Sequence, residues 1–442
     1  MNKLVKSSQI LLTVLILITV IFASACQPTP DEEAVIQGGD LEDKIARSSA
    51  SVAAYDVPPC WQETLDLGHG IKATFDASIN VPDVTAFPVY KVTQVNLSET
   101  KIKPMLDYFV QGREIIKAPE PTKDEIENEI VLARKNNDEA WAQDLEGMLQ
   151  SAPETVEPEY IIDWELGEKN EIGGLIALED GTYGGVALTK NSFGYGEGTV
   201  YTEARLQMEG KDAVGEVDIL EEEAVANAQN VLDDLGIKGK TVSSIEKAEL
   251  YSKLSPSMLG SYSQTPQSKG YFITFVPNNG GIKGRITENM ISYQKMEYAY
   301  VSPFYPEYID IYVNEQGRVQ FFNWFSPFEI TETVSENAKL MPFSDIQERI
   351  RQMIKFMFES TGESVTVDSI EMNMALTVAK DNRKEAIYMP AWYIHCVQDE
   401  KMMAAKTGME TNQLDLTLVL NAIDGGVINL DPYYSEDVNK TY

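Results

Sequence analysis

The stretch TVSSIEKAEL at residues 241–250 recurs further along the chain as TVDSIEMNMAL at residues 366–376. Both copies share the pattern Thr-Val-x-Ser-Ile-Glu, and each follows a helix-like segment that ends at a glycine, Gly236 or Gly362. Glycine is a common stop signal just beyond the last turn of a helix. The repeat therefore predicts two structural units of the same design.

Each helix-like segment carries one apolar stripe, because its apolar residues are spaced three and four apart. The stripes are Val225, Ala228, Leu232 and Leu235 in the first unit, and Ile346, Ile350, Met353 and Met357 in the second. A helix with such a stripe buries it against a neighbouring element. We expect each helix to cover one face of a sheet.

Strand-like runs follow each copy of the motif. They are YFITFVP (271–277) and IDIYVNEQGRVQFF (309–322) in the first unit, and YMPAWYIHC (388–396) and LDLTLVLNAIDGGVINL (414–430) in the second. Asn and Gly clusters within the last run of each unit are typical of tight turns between strands. Each unit therefore reads helix, strand, strand, hairpin, which is an α+β design with an antiparallel sheet.

The first half of the chain also mixes the two patterns. Alternating residues from Trp61 onward indicate strands, and glycines punctuate a predicted β-meander at 173–208. We expect an N-terminal α+β domain at 56–212, followed by repeat 1 at 213–332 and repeat 2 at 333–435. A division of the first domain into two lobes, 56–150 and 151–212, is the alternative.

The start of the chain has the order of a secretory signal. A basic start with Lys3 and Lys6 precedes an apolar run at 10–22, and three small residues stand directly before Cys26. The apolar run is shorter than the ~20 residues that span a bilayer as a helix. Residues 1–25 are therefore predicted to be a signal peptide.

Small residues before a cysteine resemble the lipobox of bacterial lipoproteins. That resemblance implies acylation of Cys26, cleavage before it, and a lipid anchor at the extracytoplasmic face of the cell membrane. An uncleaved anchor or a plain signal peptide is the alternative. The polar, acidic segment that follows Cys26 is predicted to be a flexible tether over 26–55.

The repeat unit resembles the PepSY-like domains of exported bacterial proteins over roughly 216–435. It is also similar to extracytoplasmic accessory proteins that regulate a cell-wall sensor kinase in Gram-positive bacteria, and the whole chain resembles clostridial-type lipoproteins. The PepSY-like and accessory-protein families imply binding or inhibition of an envelope partner rather than catalysis. No single residue carries the resemblance, so it implies no site residue.

The net charge of −33 argues against nucleic-acid binding and against docking on anionic lipid, because both need basic patches. No calcium-loop pattern is present, and no cofactor is predicted. Cys60 and Cys396 could form a disulfide outside the cell. A zinc site is not expected, since His395 and Cys396 are neighbours in a strand and point to opposite faces.

Three short motifs occur in the order found in penicillin-recognising serine enzymes: Ser98-x-x-Lys101, Ser335-x-Asn337 and Lys406-Thr407-Gly408. Pro104 follows the first motif at once, where it caps or kinks the turn that the mechanism needs. The third motif lies in a polar, loop-like run. We expect no enzyme, and a serine hydrolase that uses Ser98 and Lys101 is a minor alternative.

Aromatic residues are dense in two runs, 298–312 and 321–328. In a strand, Phe322 and Trp324 face one side of the sheet, and one of the two faces enters the helix-covered core. Interior packing is one interpretation of these rings. The other is a partner-binding face with Trp324 as anchor and Phe322 beside it. A solute- or glycan-binding lipoprotein is the further alternative.

Overall fold

The computed structural model describes twelve stretches of the chain. They are residues 41–46, 56–97, 99–135, 137–161, 171–208, 210–257, 262–263, 265–286, 300–359, 364–379, 382–399 and 413–429. The predicted signal peptide, Cys26, Ser98, Gly362 and the Lys406 motif lie outside these stretches. Within them, each helix is too short or too polar to cross a membrane.

Helices are few and mostly short in the described stretches. They are α1 (Leu41–Ala46), α2 (Glu99–Val110), α3 (Lys123–Lys135), α4 (Glu139–Leu149), α5 (Glu203–Met208), α6 (Glu221–Asp234) and α7 (Phe343–Phe358). Two large sheets and one small one accompany them, so the predicted α+β class is confirmed.

The strands of the seven-stranded sheet come from both ends of the chain. They are β1 (Cys60–Gly68), β2 (Ile71–Asn80), β3 (Val89–Gln94), β15 (Phe328–Ser335), β16 (Val365–Ala379), β17 (Asn382–Asp399) and β18 (Gln413–Asn421). Their order is β1-β2-β16-β17-β3-β15, with β18 also paired to β17. The pairing of β2 with β16 is parallel and all the others are antiparallel.

The ten-stranded sheet is built from the middle of the chain. Its strands are β4 (Ile115–Ile116), β5 (Glu171–Ala177), β6 (Tyr183–Thr189), β7 (Ser192–Gly196), β8 (Thr199–Thr202), β9 (Lys240–Tyr251), β10 (Ser268–Asn279), β11 (Ile282–Lys283), β13 (Tyr308–Asn314) and β14 (Val319–Phe325). The order is β4-β5-β6-β7-β14-β13-β10-β9-β8, and β11 pairs with β10. The remaining strands, β12 (Tyr300–Val301) and β19 (Ile428–Asn429), pair with each other.

The two copies of the repeated motif occupy equivalent places in the fold. Residues 241–250 lie in β9 and residues 366–376 lie in β16, and each strand is the first after its helix, α6 or α7. In the first unit the strands run β9-β10-β13-β14, and in the second β16-β17-β18, each antiparallel to the next. The predicted order of a helix followed by two antiparallel strands is therefore present twice. The predicted hairpin forms in the first unit as β13 and β14, whereas in the second unit β19 pairs with β12.

The apolar stripes bury as their spacing predicts. Ile346, Ile350 and Met353 of α7 are fully buried in the core of the seven-stranded sheet. Ala228 and Leu232 of α6 are fully buried against the ten-stranded sheet. The α6 stripe ends where Gly236 takes a φ of +71°, which L-residues with a side chain rarely adopt.

The strands of the predicted N-terminal domain, 56–212, are divided between the two sheets. Strands β1 to β3 join the second repeat, and β4 to β8 join the first. The alternation of side chains identifies each strand but does not identify its partner. The parallel pairing of β2 with β16 joins segments about three hundred residues apart, and no local sequence pattern reports such a contact.

Part of the predicted tether is folded. Helix α1 buries Leu41 and Ile45, which are 6% and 0% exposed, in an apolar cluster on the seven-stranded sheet. Lys44 of the same helix forms an ion pair with Asp424 at 2.7 Å. The prediction of a flexible tether over all of 26–55 is therefore wrong for these six residues. The four-residue spacing of Leu41 and Ile45 is the sequence feature that indicates this helix.

A buried ion pair lies where the two sheets meet. Lys240 Nζ is 2.6 Å from Glu307 Oε1, and the side chains are only 9% and 1% exposed. The indole N–H of Trp324 donates to the same oxygen at 2.8 Å. The ring of Phe328, on the seven-stranded sheet, lies 5.9 Å from Lys240 Nζ. The Glu307 carboxylate thus binds both Lys240 and Trp324 of the ten-stranded sheet, close to Phe328 of the seven-stranded sheet.

We expect the substitution Lys240→Met to lower the free energy of unfolding by about 3 kcal/mol, because it leaves the Glu307 charge buried without a cation. The double variant Lys240→Met with Glu307→Gln should recover most of that loss, since a neutral amide oxygen still accepts from Trp324. Urea denaturation followed by tryptophan fluorescence measures both. Equal stability of the single and double variants would show that the pair is not the reason for the loss.

Candidate functional site

A cleft of about 1010 Å³ opens on the helix-covered side of the ten-stranded sheet. Its walls are the end of α2, one face of α6, the β5–β6 turn and the β13–β14 hairpin. Its floor includes Tyr195 and Glu197, which lie at the end of β7. Clefts of this size are typical of sites that hold a small ligand or a short segment of a larger one.

The apolar core beneath the cleft fixes these walls in place. Helices α2 and α6 pack on the same sheet face and share one buried cluster, which contains Phe109 of α2 and Ala228 of α6. The ring of Phe109 stacks on Tyr195 with centroids 4.9 Å apart, and it lies 4.9 Å from Phe322. The helix end and the strand that form the cleft are therefore held by close aromatic packing.

Glu197 organises the polar floor. It is 4% exposed, and its carboxylate accepts from the Tyr195 hydroxyl at 2.7 Å, from Gln320 Nε2 at 3.0 Å and from Arg318 Nη2. A buried carboxylate is stable only when donors of this kind surround it. The contacts join β7 to β14 across the line where the β-meander meets the first repeat.

The β13–β14 hairpin is fixed by Asn314. Its side-chain oxygen accepts from the backbone N–H groups of Gln316 and Arg318 at 3.1 and 2.9 Å. Its amide nitrogen donates to Gln320 Oε1 at 2.9 Å. Gly317 has a φ of +74°, and a Cβ there would lie 2.7 Å from Asn227 Nδ2 of α6. The turn therefore sits directly against the helix and closes one end of the cleft.

Amide side chains dominate the lining. Of the twenty described residues around the cleft, seven are Asn or Gln. Asn314 and Gln320 are fixed by the contacts above, and Gln267 donates to Asp180 at 2.7 Å. The side chains of Gln111, Asn227, Asn230 and Gln316 form no hydrogen bond with other described residues. Each offers an acceptor and two donors to a molecule in the cleft.

The charged groups of the cleft are few and of both signs. Arg113 and Arg318 face Glu179, Asp180 and Glu197. Hydrogen bonds, first from the Thr182 hydroxyl, hold the pKa of Asp180 below its usual value, so this carboxylate is charged at neutral pH.

The remaining polar groups of the lining are neutral. Burial, and then the nearby Asp234 charge, raise the pKa of Tyr108, which stays a neutral donor. The described lining contains no His, Lys or Cys, and the hydroxyl of its one serine, Ser268, donates to Gln320 at 2.7 Å.

The predicted partner-binding residues lie on the helix-covered face. Phe322 is 0% exposed inside the shared core, so the expectation that its ring meets a partner is wrong. Trp324 is half-buried against the same core and is held by Glu307. Phe321 faces the other side, as the alternation predicts, and packs beside Tyr312 and Phe272. Packing accounts for most of the aromatic run.

The disulfide that the sequence allows between the two cysteines is not formed. Cys60 and Cys396 are both free, Cys60 exposed on the edge strand β1 and Cys396 fully buried on β17. Strands β2 and β16 lie between them. Burial, and then the Asp368 charge, raise the pKa of the Cys396 thiol. The neighbouring His395 points outward, with Nδ1 2.6 Å from Asp368 Oδ1, as strand alternation predicts.

The motifs that match penicillin-recognising enzymes are scattered where the structure describes them. Lys101 is exposed on α2, which covers the ten-stranded sheet. Ser335 ends β15 in the seven-stranded sheet, and its hydroxyl accepts from the Asn337 backbone at 3.3 Å. Asn337 in turn accepts from the Phe87 backbone at 3.0 Å. The side chains of Ser335 and Asn337 thus stabilise loops by accepting backbone hydrogen bonds.

Comparison with known proteins bears on the fold. No family model matches the chain, and no curated protein matches it in sequence. An uncharacterised protein from Eubacterium rectale, a crystal structure at 1.45 Å resolution, is similar with 14% identity and a TM-score of 0.50. The match covers 89% of this chain and 99% of that chain. This likeness shows that the two proteins share a fold.

A second solved structure, the Bacillus megaterium YpeB C-terminal domain, also matches. Its identity to this chain is 11%, and the match covers 75% of this chain and 96% of that domain. The TM-score is 0.27.

Proposed function

We propose that the chain is a lipid-anchored protein of the extracytoplasmic face that binds a polar segment of an envelope partner and does not catalyse a reaction. The observation that carries this proposal is the amide-rich cleft on the ten-stranded sheet. Its unpaired amide groups favour hydrogen bonding to a ligand. Its described lining has no nucleophile paired with a base, which acyl-transfer chemistry needs.

The anchor rests on the start of the sequence. A basic, apolar and small-residue order before Cys26 resembles the lipobox, and a cleaved, acylated cysteine holds a protein at the membrane surface. The two helix-and-sheet units support the resemblance to PepSY-like and sensor-kinase accessory proteins, which bind or inhibit envelope proteins.

A carrier of a small solute or glycan is the second candidate function. The volume of the cleft, about 1010 Å³, is large enough for a ligand of that size. Loss of a protein partner when a residue of the cleft is substituted favours the binding or regulatory protein. A small molecule extracted from the purified chain, with no protein partner, favours the carrier.

We expect Asn230→Trp to remove the bound partner, because this exposed residue of α6 lines the cleft and an indole there obstructs part of it. The measurement is chemical cross-linking in cells, purification of the full chain from its own membrane, and mass spectrometry of what co-purifies. Ala226→Trp is the matched control, since Ala226 is exposed on the same helix and does not line the cleft. Partners retained equally by both variants would contradict a role for the cleft.

We expect Cys26→Ser to move the full chain out of the membrane fraction, because the serine hydroxyl cannot form the thioether that holds the lipid. Cell fractionation with an immunoblot measures the distribution. Cys60→Ser is the control, since that thiol lies on the folded domain. A Cys26→Ser chain that stays in the membrane would contradict a lipid anchor at this residue.

A further inference from the structure

We infer that Arg113 recognises a carboxylate group of an extended peptide bound in the cleft. The inference names the ligand chemistry of the same site and rests on the proposed binding function. It depends on three observations: how the guanidinium is held, that it forms no ion pair with a described residue, and which groups surround it.

The Arg113 guanidinium is fixed at the mouth of the cleft by the chain itself. Nε donates to the carbonyl oxygen of Val110 at 2.9 Å, and Nη2 donates to the carbonyl oxygen of Phe109 at 2.7 Å. Nη2 also lies 3.3 Å from the Tyr195 hydroxyl. These contacts engage Nε and Nη2, so Nη1 makes no hydrogen bond within the described stretches. The two N–H groups of Nη1 are therefore left to donate to an anion in the cleft.

Arg113 shares the cleft lining with Glu179, Asp180 and Glu197 but forms an ion pair with none of these three carboxylates. In the described part of the chain it forms no ion pair, although the protein has 69 acidic and 36 basic residues. Other arginines show the usual arrangement, since Arg134 pairs with Glu146, Arg285 with Glu371 and Arg351 with Glu63. An arginine without an ion-pair partner in a cleft can take the carboxylate of a ligand as its counter-ion.

The surroundings favour a peptide over a glycan. Sugar sites commonly offer an open aromatic ring face on which the sugar packs. In this cleft, Phe109 and Tyr195 are 4% and 3% exposed and stack on each other, and Tyr108 meets Phe109 edge to face at 5.0 Å. An extended peptide presents alternating N–H and C=O groups, which the unpaired amides of the lining complement.

The carboxylate could come from the peptide's C-terminus or from an Asp or Glu side chain. Three pools of random N-acetylated pentapeptides separate these sources. The first lacks Asp and Glu and has free carboxyl ends, the second has the same sequences with amidated ends, and the third is amidated but includes Asp and Glu. Each pool is mixed with the detergent-solubilised full chain, and retained peptides are quantified by mass spectrometry after size filtration.

Wild-type protein should retain carboxylate-bearing peptides at least about tenfold better than the second pool, which corresponds to about 1.4 kcal/mol of binding free energy. Preference for the first pool identifies the C-terminus, and preference for the third identifies a side chain. Arg113→Gln should remove the preference, and Arg113→Lys should restore part of it. Arg134→Gln, a surface arginine on α3, is the matched control and should retain it.

Arg113 also caps the carbonyl end of α2, so the melting temperature of each variant is measured beside its binding. The comparison of pools on wild-type protein needs no variant and decides the matter if Arg113→Gln does not fold. Equal retention of all three pools would overturn carboxylate recognition and leave the binding function standing. Retention of none would overturn a peptide ligand, while partner loss in Asn230→Trp judges the proposed function separately.

Discussion

The hydrogen bonds to the buried carboxylate of Glu197 hold the floor of the cleft to the neighbouring strands of the ten-stranded sheet. The carboxylate lies on the line where the β-meander of β4 to β7 joins the strands of the first repeat. Its donors come from both sides of that line, from Tyr195 on one side and from Arg318 and Gln320 on the other. The Glu197 carboxylate therefore adds side-chain hydrogen bonds to the backbone pairing of β7 with β14 and orders the polar floor of the cleft.

The polar side chains of the floor also form hydrogen bonds with one another. Gln320 donates to Glu197 and accepts from Ser268 and Asn314, so the hairpin, the start of β10 and the end of β7 form one hydrogen-bonded group. Such networks stabilise a single arrangement because every buried member is satisfied. The described walls of the cleft are thus held in one arrangement by the chain itself, and a preformed site reduces the entropic cost of the binding that we propose.

Local sequence patterns predicted the parts of this structure that depend on neighbouring residues. Helix periodicity predicts the buried stripe of α7, and strand periodicity predicts that Phe321 and Phe322 face opposite sides of the sheet. Asn and Gly residues predict the turn at Asn314. Each copy of the repeated motif lies in the first strand after a helix, β9 after α6 and β16 after α7. The composition of residues 26–55 does not predict the short helix α1, because an acidic and polar segment with two spaced apolar residues resembles a flexible tether.

The cleft could not be predicted, because its residues come from segments that only tertiary pairing brings together. Arg113, Glu197 and Arg318 have no shared motif, and each is an ordinary charged residue in its local sequence. The same reason explains the division of the first domain, where β2 pairs with β16 and β7 with β14. The aromatic run is more conspicuous in the sequence than the residues of the cleft, yet strand alternation places Phe322 and Trp324 on the covered face.

Site-specific photo-cross-linking in living cells tests the central claim most directly. A photoreactive phenylalanine analogue replaces Gln316, exposed on the hairpin at the cleft, or Glu329, exposed on β15 of the other sheet. The account predicts a discrete cross-linked product with an envelope partner from position 316 and none from position 329. A product from position 329 alone would place the binding surface on the seven-stranded sheet and contradict the account.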